Sequence, residues 1–438
     1  MADSHKAVRT ATRLMLRRGA RSVRKTIARR SGLLAYIAIL GPGMIAANAG
    51  NDAGGIATFA SVGSDYGYSF LWVLIPITIS LGIVQEMCAR MGAVTGKGLA
   101  DLIRERFGVR WTALVMLALL IANGGVTVSE FVGIAAATEL FGIPRYISVP
   151  LAAASVWWLV VKGSYKRVER VFLVMSLVFL GYIVSAFMAK PDWSHVANEM
   201  VRPSFSLAPA YLFSFVAIVG TTISPYMQVF VQSSVVEKGV TVDDYKLTRI
   251  DVWVGTIFAI AIVFFIVIST AATLNPHNIH VVTAADAARA LEPLAGRYAG
   301  LLFAVGLFGA SMLAAGVLPL ATAYSLSEAL GVEKGISRSF REAPIFVGIF
   351  TFLIVVGAIV AVIPGLPLIR VLIVTQVING LLLPVILIAI QRLVNNRELM
   401  GEYVNGPIYN LAAWLTTIIV SALSIMLIVT TLFPSLLN

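Results

Sequence analysis

The chain has 438 residues, of which 58% are hydrophobic and only 13% charged; soluble globular domains carry about a quarter charged residues, so that class is excluded. The net charge is +11, but ten of the 33 Lys and Arg residues sit in residues 1–30, which argues against nucleic acid as a partner. A single cysteine, Cys88, excludes an intrachain disulfide and a cysteine metal cage and reads as a packed core thiol.

In chain order, residues 1–30 lack the compact apolar stretch and cleavage site of a signal peptide and read as a basic cytoplasmic tail. That tail is either a helix lying on anionic lipid headgroups or a solvated segment that only fixes topology. The transmembrane domain is then 31–438. Its runs are continuous, as in "FLWVLIPITISLGIV", rather than alternating like the strands of an outer-membrane barrel. Eleven spans are expected, at about 33–64, 69–91, 112–139, 146–162, 171–189, 207–236, 250–274, 298–329, 343–363, 367–391 and 408–434.

Lys and Arg alternate between the loops. Seventeen lie in the loops after spans 2, 4, 6, 8 and 10, and six in the others. This bias puts the N-terminus in the cytoplasm, and an odd number of spans puts the C-terminus outside. The expected location is the plasma (inner) membrane.

Two spans are interrupted. Span 1 breaks at "NAGNDAGG", and span 6 at "GTTISPYMQ", residues 220–228. Pro225 removes a backbone donor and clashes with the preceding turn, while Thr221, Thr222 and Ser224 can satisfy freed backbone groups. The breaks correspond if spans 1–5 (about 33–189) and 6–10 (about 207–391) are structural repeats, with 408–434 as an extra helix. Five spans per repeat force the second to be inverted. The expected fold is therefore an all-α membrane protein of LeuT-like kind, with its site at the paired breaks.

Asp52 is the sharpest residue. An ionised group at mid-bilayer costs several kcal/mol unless it meets a partner, water or an ion, and no Lys or Arg follows Arg30 within that span. Unwound carbonyls beside a carboxylate make a cation site. Gln376 and Asn379, three apart in span 10, share one helix face and read as part of the same site, with interhelical glue as the alternative. Thr127 and Glu130 are also three apart, in span 3. Glu130 is a site residue, or equally a structural or gating carboxylate paired with Arg or Lys. Glu86 is either buried or close enough to the cytoplasmic end to reach water. His5, His195, His277 and His280 all fall outside the spans, and His277 and His280 read as surface histidines.

At these residues the chain resembles the NRAMP (natural-resistance-associated macrophage protein) family of divalent-metal transporters. The resemblance rests on "GPGMIAANAGNDAGG", "ARMGAVTGKGLADLIRERFG", "SEFVGIAAATELFGIP" and "TQVINGLLLP", and runs through about 33–400. It implies metal ligation at Asp52, Thr221, Ser224, Gln376 and Asn379. The family's Asp-Pro-Gly-Asn reads Asp52-Ala53-Gly54-Gly55, so an asparagine ligand is replaced by Gly55. Its Met-Pro-His reads Ser224-Pro225-Tyr226. The acid that usually accepts a coupled proton aligns with Thr127, while the nearby glutamate is kept as Glu130. Gly55, Thr222 and Tyr226 are expected to line the site or reach the ion through water.

Loss of the thioether removes softness, and an oxygen-only site suits hard cations. Mg²⁺ keeps several waters, and the smaller side chains leave room for them. The pattern is similar to the NRAMP-related magnesium transporters. It implies carriage of partly hydrated Mg²⁺, and also Mn²⁺, as substrate, with no resident cofactor and without proton coupling. The competing readings are a proton-coupled Mn²⁺/Fe²⁺ transporter, a carrier of organic cations or amino acids, and a membrane sensor with a degenerate site. An enzyme is disfavoured: neither a His-Glu-x-x-His helix nor a Gly-x-Ser-x-Gly turn is present.

Overall fold

The structure is a computed structural model that describes residues 51–161, 177–332 and 342–433. The basic tail, the first half of span 1 and the basic loop at 162–170 lie outside the described residues.

Helices of eight or more residues are numbered here. They are α1 (Ala53–Tyr66), α2 (Leu71–Thr95), α3 (Leu99–Glu139), α4 (Arg145–Val161), α5 (Gly181–Met188), α6 (Trp193–Val201), α7 (Pro209–Thr222), α8 (Pro225–Glu237), α9 (Tyr245–Thr273), α10 (Ala299–Leu330), α11 (Pro344–Ala361), α12 (Leu368–Val394) and α13 (Pro407–Leu432). No strand occurs among the described residues. Eight stretches are long and apolar enough to cross a bilayer, and Arg145–Val161 and Leu177–Met188 are shorter apolar helices. They match the segments expected for spans 2–11. Span 1 is represented by α1 alone, so the expected count of eleven rests partly on residues outside the description.

Local chemistry sets the helix ends. Asp52 caps α1 through Gly55 N at 2.6 Å. Pro209 and Pro225 open α7 and α8 from the first turn, where a missing N–H costs nothing. Gly96 ends α2 in the left-handed region at φ 65°. Two features depart from the expectation. Leu99–Glu139 is two helices that meet at a kink at Gly108 (φ 71°, ψ 173°), so an unexpected short helix at 99–107 precedes span 3, which starts just after the kink. The loop after span 5 carries α6, capped by the Asp192 side chain, which accepts from Ser194 N and His195 N.

α3 runs through the middle of the bundle and packs on α10, α11 and α12. α7 crosses α12 with almost no side chain between them. A Cβ at Gly380 would meet Val216 O at 2.5 Å and Gly220 Cα at 3.3 Å, so only glycine permits this approach. The outward-facing residues of α4, α11 and α13 are large and apolar, among them Leu151, Phe352, Ile359, Leu411 and Ile418. Such a face is the ordinary exterior of a helix bundle in lipid. Thr221, Thr222, Ser224, Gln228 and Asn379 are buried at the gap between α7 and α8 and next to it.

Candidate functional site

α7 ends at Thr222 and α8 starts at Pro225, so the chain unwinds over two residues, Ile223 and Ser224. α1 begins at Ala53, directly after Asp52. The two breaks therefore present two helix N-termini, those of α1 and α8, and one C-terminus, that of α7. The partial charges at these ends favour anions at the first two and a cation at the third.

Asn379 ties α12 to the second break. Its Nδ2 donates to Gly220 O at 2.7 Å and to Ser224 Oγ at 2.5 Å. Its Oδ1 is left without a hydrogen bond, in a side chain that is fully buried. One helical turn earlier, Gln376 reaches α1: a Cβ at Gly54 would collide with the Gln376 amide and approach Ser129 Oγ at 3.0 Å. Neither amide atom of Gln376 has a hydrogen-bond partner, and Thr221 Oγ also has none. Orphaned buried oxygens are the kind of group that a hard cation would satisfy.

Two carboxylates flank this set. Asp52 is 4% exposed and Glu130 is 0% exposed. Glu130 Oε2 accepts from Ala53 N at 3.5 Å, and Ser129 Oγ donates to its other oxygen at 3.4 Å. Neither carboxylate forms an ion pair among the described residues. Tyr226 lies within electrostatic reach of both. Two buried acids without a basic neighbour require neutralisation by a cation or a proton.

The structure joins Asn379 to Ser224 and to the Gly220 carbonyl, sets Gln376 against Gly54 of α1, leaves the buried Thr221 hydroxyl unpaired, and puts Tyr226 within electrostatic reach of Asp52. Gly55 contributes its amide to Asp52. Two residues are not brought in by their hydroxyls. Thr222 Oγ donates to Ile218 O at 2.7 Å, and Thr127 Oγ donates to Asn123 O at 2.8 Å, each within its own helix. Two alternatives left open by the sequence are decided. A basic partner for Glu130 is absent among the described residues; the α1 N-terminus takes that place. Glu86 does not reach water: it is 3% exposed and lies 3.4 Å from Arg90 one turn along α2. Arg90 in turn donates to the backbone oxygens of Tyr403 and Val404 and to Asn405, ahead of α13. His277 and His280 are exposed, and His280 meets Asp65 at 2.7 Å. Cys88 is buried in the core.

The sequence reading missed Ser129 and Ser311. Ser311 on α10 is buried without a hydrogen bond and lies against Gly133, which also packs on Ala53. Small hydroxyls inside apolar helices are common, so only adjacency to Glu130 could have marked Ser129.

Comparison with known proteins follows the same lines. Residues 43–430 match the family described as Natural resistance-associated macrophage protein-like, Nramp. This chain belongs to the Nramp family. This Nramp chain is 29% identical over 412 residues to the Divalent metal cation transporter MntH of Ralstonia nicotianae, covering 89% of this chain and 90% of the relative. It is 27% identical over 409 residues to the protein of the same name from Deinococcus radiodurans, covering 90% of each. Among solved structures, the Eremococcus coleocola manganese transporter in complex with an aromatic bis-isothiourea substituted compound superposes with a TM-score of 0.76 at 19% identity, over 92% of this chain and 89% of that one. MhsT in complex with L-phenylalanine superposes with a TM-score of 0.55 at 14% identity, over 91% of this chain and 98% of that one. At these identities the structural likeness concerns the fold, which this Nramp chain shares with LeuT-like transporters.

Proposed function

We propose that this chain carries divalent cations across the plasma membrane through a site centred on Asp52, with Mg²⁺ as its preferred ion and Mn²⁺ also admitted. Membership of the Nramp family supports the divalent class. The choice of ion rests on one observation: the groups gathered at the break of span 6 are hydroxyl, amide and backbone oxygens. The neighbouring thioether, Met227, is engaged elsewhere, receiving Gln85 Nε2 at 3.9 Å. Thr221, Ser224, Gln376 and Asn379 supply oxygens, and Asp52 supplies charge. Gly55 and Tyr226 line the space, with Tyr226 a donor toward a hydration shell. Hard oxygen ligands and retained water suit Mg²⁺.

Transport in this reading is driven by the ion gradient and the membrane potential, which contributes about 4.6 kcal/mol per 100 mV for a doubly charged ion. The end of the bundle bearing Lys97 and the N-terminus faces the cytoplasm. A second reading, proton-coupled Mn²⁺ or Fe²⁺ transport, is favoured by one observation: Glu130 is a buried carboxylate free to hold a proton beside the α1 N-terminus. Asp52→Ala tests the site itself. The purified variant is expected to remain folded and monodisperse, to lose Mn²⁺ binding in calorimetry, and to lose Mg²⁺ and Mn²⁺ uptake in proteoliposomes. Uptake at the unsubstituted rate would reject the site.

A further inference from the structure

Below the Asp52 site, α8 carries glutamines at two positions that an apolar membrane helix would fill with leucine. Ser224, Gln228 and Gln232 are spaced by four residues, so they lie on one face of α8, over a rise of about 12 Å. Gln228 and Gln232 are both 0% exposed. Gln85, on the neighbouring α2, is also 0% exposed and reaches Met227 beside them.

The hydrogen bonds of these three side chains share one asymmetry. Each uses its nitrogen and leaves its oxygen unused. Gln228 Nε2 donates to Ser224 O at 3.4 Å, Gln232 Nε2 to Lys97 O at 3.0 Å, and Gln85 Nε2 to Met227 Sδ at 3.9 Å. The Oε1 atoms of Gln85, Gln228 and Gln232 have no partner. Buried acceptors without donors are destabilising and rare, and an apolar side chain of the same size would remove the cost. Packing does not explain three of them on one seam. The seam is also directed. It starts at Ser224, in the site, and ends at Lys97 in the exposed turn between α2 and α3.

We propose that Gln85, Gln228 and Gln232 line the release route by which a divalent cation and its water shell pass from the Asp52 site to the α2–α3 turn. The inference rests on the Asp52 site as the starting point. Neutral amide oxygens suit a route rather than a store. They accept from the waters around the ion, yet carry no full charge that would hold it, and conduction needs binding weak enough to let go. Gly92 permits the arrangement, since a Cβ there would meet Gln232 O at 3.0 Å and its Cγ at 3.3 Å, so α2 and α8 lie close along the seam.

The test compares Gln228→Leu, Gln232→Leu and the double variant with Gln228→Ser and Gln232→Ser, all in the full chain. Mn²⁺ binding is measured by calorimetry in detergent, and initial rates of Mg²⁺ and Mn²⁺ uptake in proteoliposomes. The double leucine variant is expected to bind Mn²⁺ within twofold of the unsubstituted protein while its maximal rate falls at least fivefold, with the half-saturating concentration unchanged. The serine variants, which keep an oxygen and make room for water, are expected to retain the rate within about threefold. A packing role predicts the reverse order, leucine tolerated and serine harmful, and that result overturns the proposal. So does an unaltered rate in the leucine variants, or loss of Mn²⁺ binding together with uptake. If the double variant does not fold, the single leucine variants decide by the same criteria. Persistent binding in Asp52→Ala would instead sink the site on which the route depends, and so separates the two failures.

Discussion

In the proposed site, Ser224 occupies the position where the residue type decides which ions are held. Its Oγ accepts from Asn379 Nδ2, and that bond fixes the Asn379 amide with Oδ1 unused. Ser224→Met would replace this hydroxyl with a thioether, release Asn379 Nδ2 from one acceptor, and fill space next to Pro225. The expected outcome is weaker Mg²⁺ transport and about tenfold stronger competition by Mn²⁺ or Cd²⁺, a shift that corresponds to about 1.4 kcal/mol of differential binding. Competition assays in proteoliposomes, paired with calorimetry on the same variant, measure it; a variant more selective for Mg²⁺ would show that ligand softness is not the controlling term. At this scale the sequence was informative where a polar residue had no excuse. Asp52, Gln376 and Asn379 stand out because amides and acids are costly inside apolar helices. Thr222 and Thr127 look equally polar in sequence. Their hydroxyls are satisfied by carbonyls of the preceding turn, and nothing in the residue type distinguishes that from a ligand. Glu86 shows the opposite case: Arg90 one turn on was visible, but its burial against the segment before α13 depends on the fold.

Helices α7 and α12 meet through Gly220 and Gly380, and this contact holds Asn379 against the break. Gly380→Ala places a methyl where Val216 O lies 2.5 Å away and Gly220 Cα 3.3 Å away. Overpacking of this kind costs about 1–3 kcal/mol. The variant is expected to melt at lower temperature in a detergent thermal-shift assay and to bind Mn²⁺ less tightly, because separating the helices lengthens the Asn379 bonds to Gly220 and Ser224. A variant with both unchanged would show that the crossing does not set the site. The helices themselves were legible from the length of the apolar runs, and the break of span 6 from Pro225. The boundaries were less so. At Gly108 a residue at φ 71° kinks the chain and joins a helix at 99–107 to span 3; that first helix is rich in charge and leaves no apolar run. α6 escaped notice because a nine-residue helix between spans leaves no long apolar run. The crossing at Gly220 and Gly380 was invisible, since neither glycine announces its partner.

Over the whole molecule, charge is sorted by position. Basic residues gather at the tail and alternate loops, while the described interior holds Asp52 and Glu130 with no ion pair. The other buried charges are Glu86 with Arg90, Asp251 and Glu328, and between α3 and α10 the contact is one of neutral groups, Asn123 Nδ2 donating to Thr322 Oγ at 2.9 Å. In the proposed account, a doubly charged ion entering this interior is compensated by the two carboxylates, so its entry needs no accompanying proton. Mg²⁺ uptake into proteoliposomes, with internal pH recorded in the same vesicles, tests this most directly. The expected result is uptake that follows the Mg²⁺ gradient and an imposed inside-negative potential, with no stoichiometric acidification. A proton gradient that drives Mg²⁺ against its own gradient would contradict it.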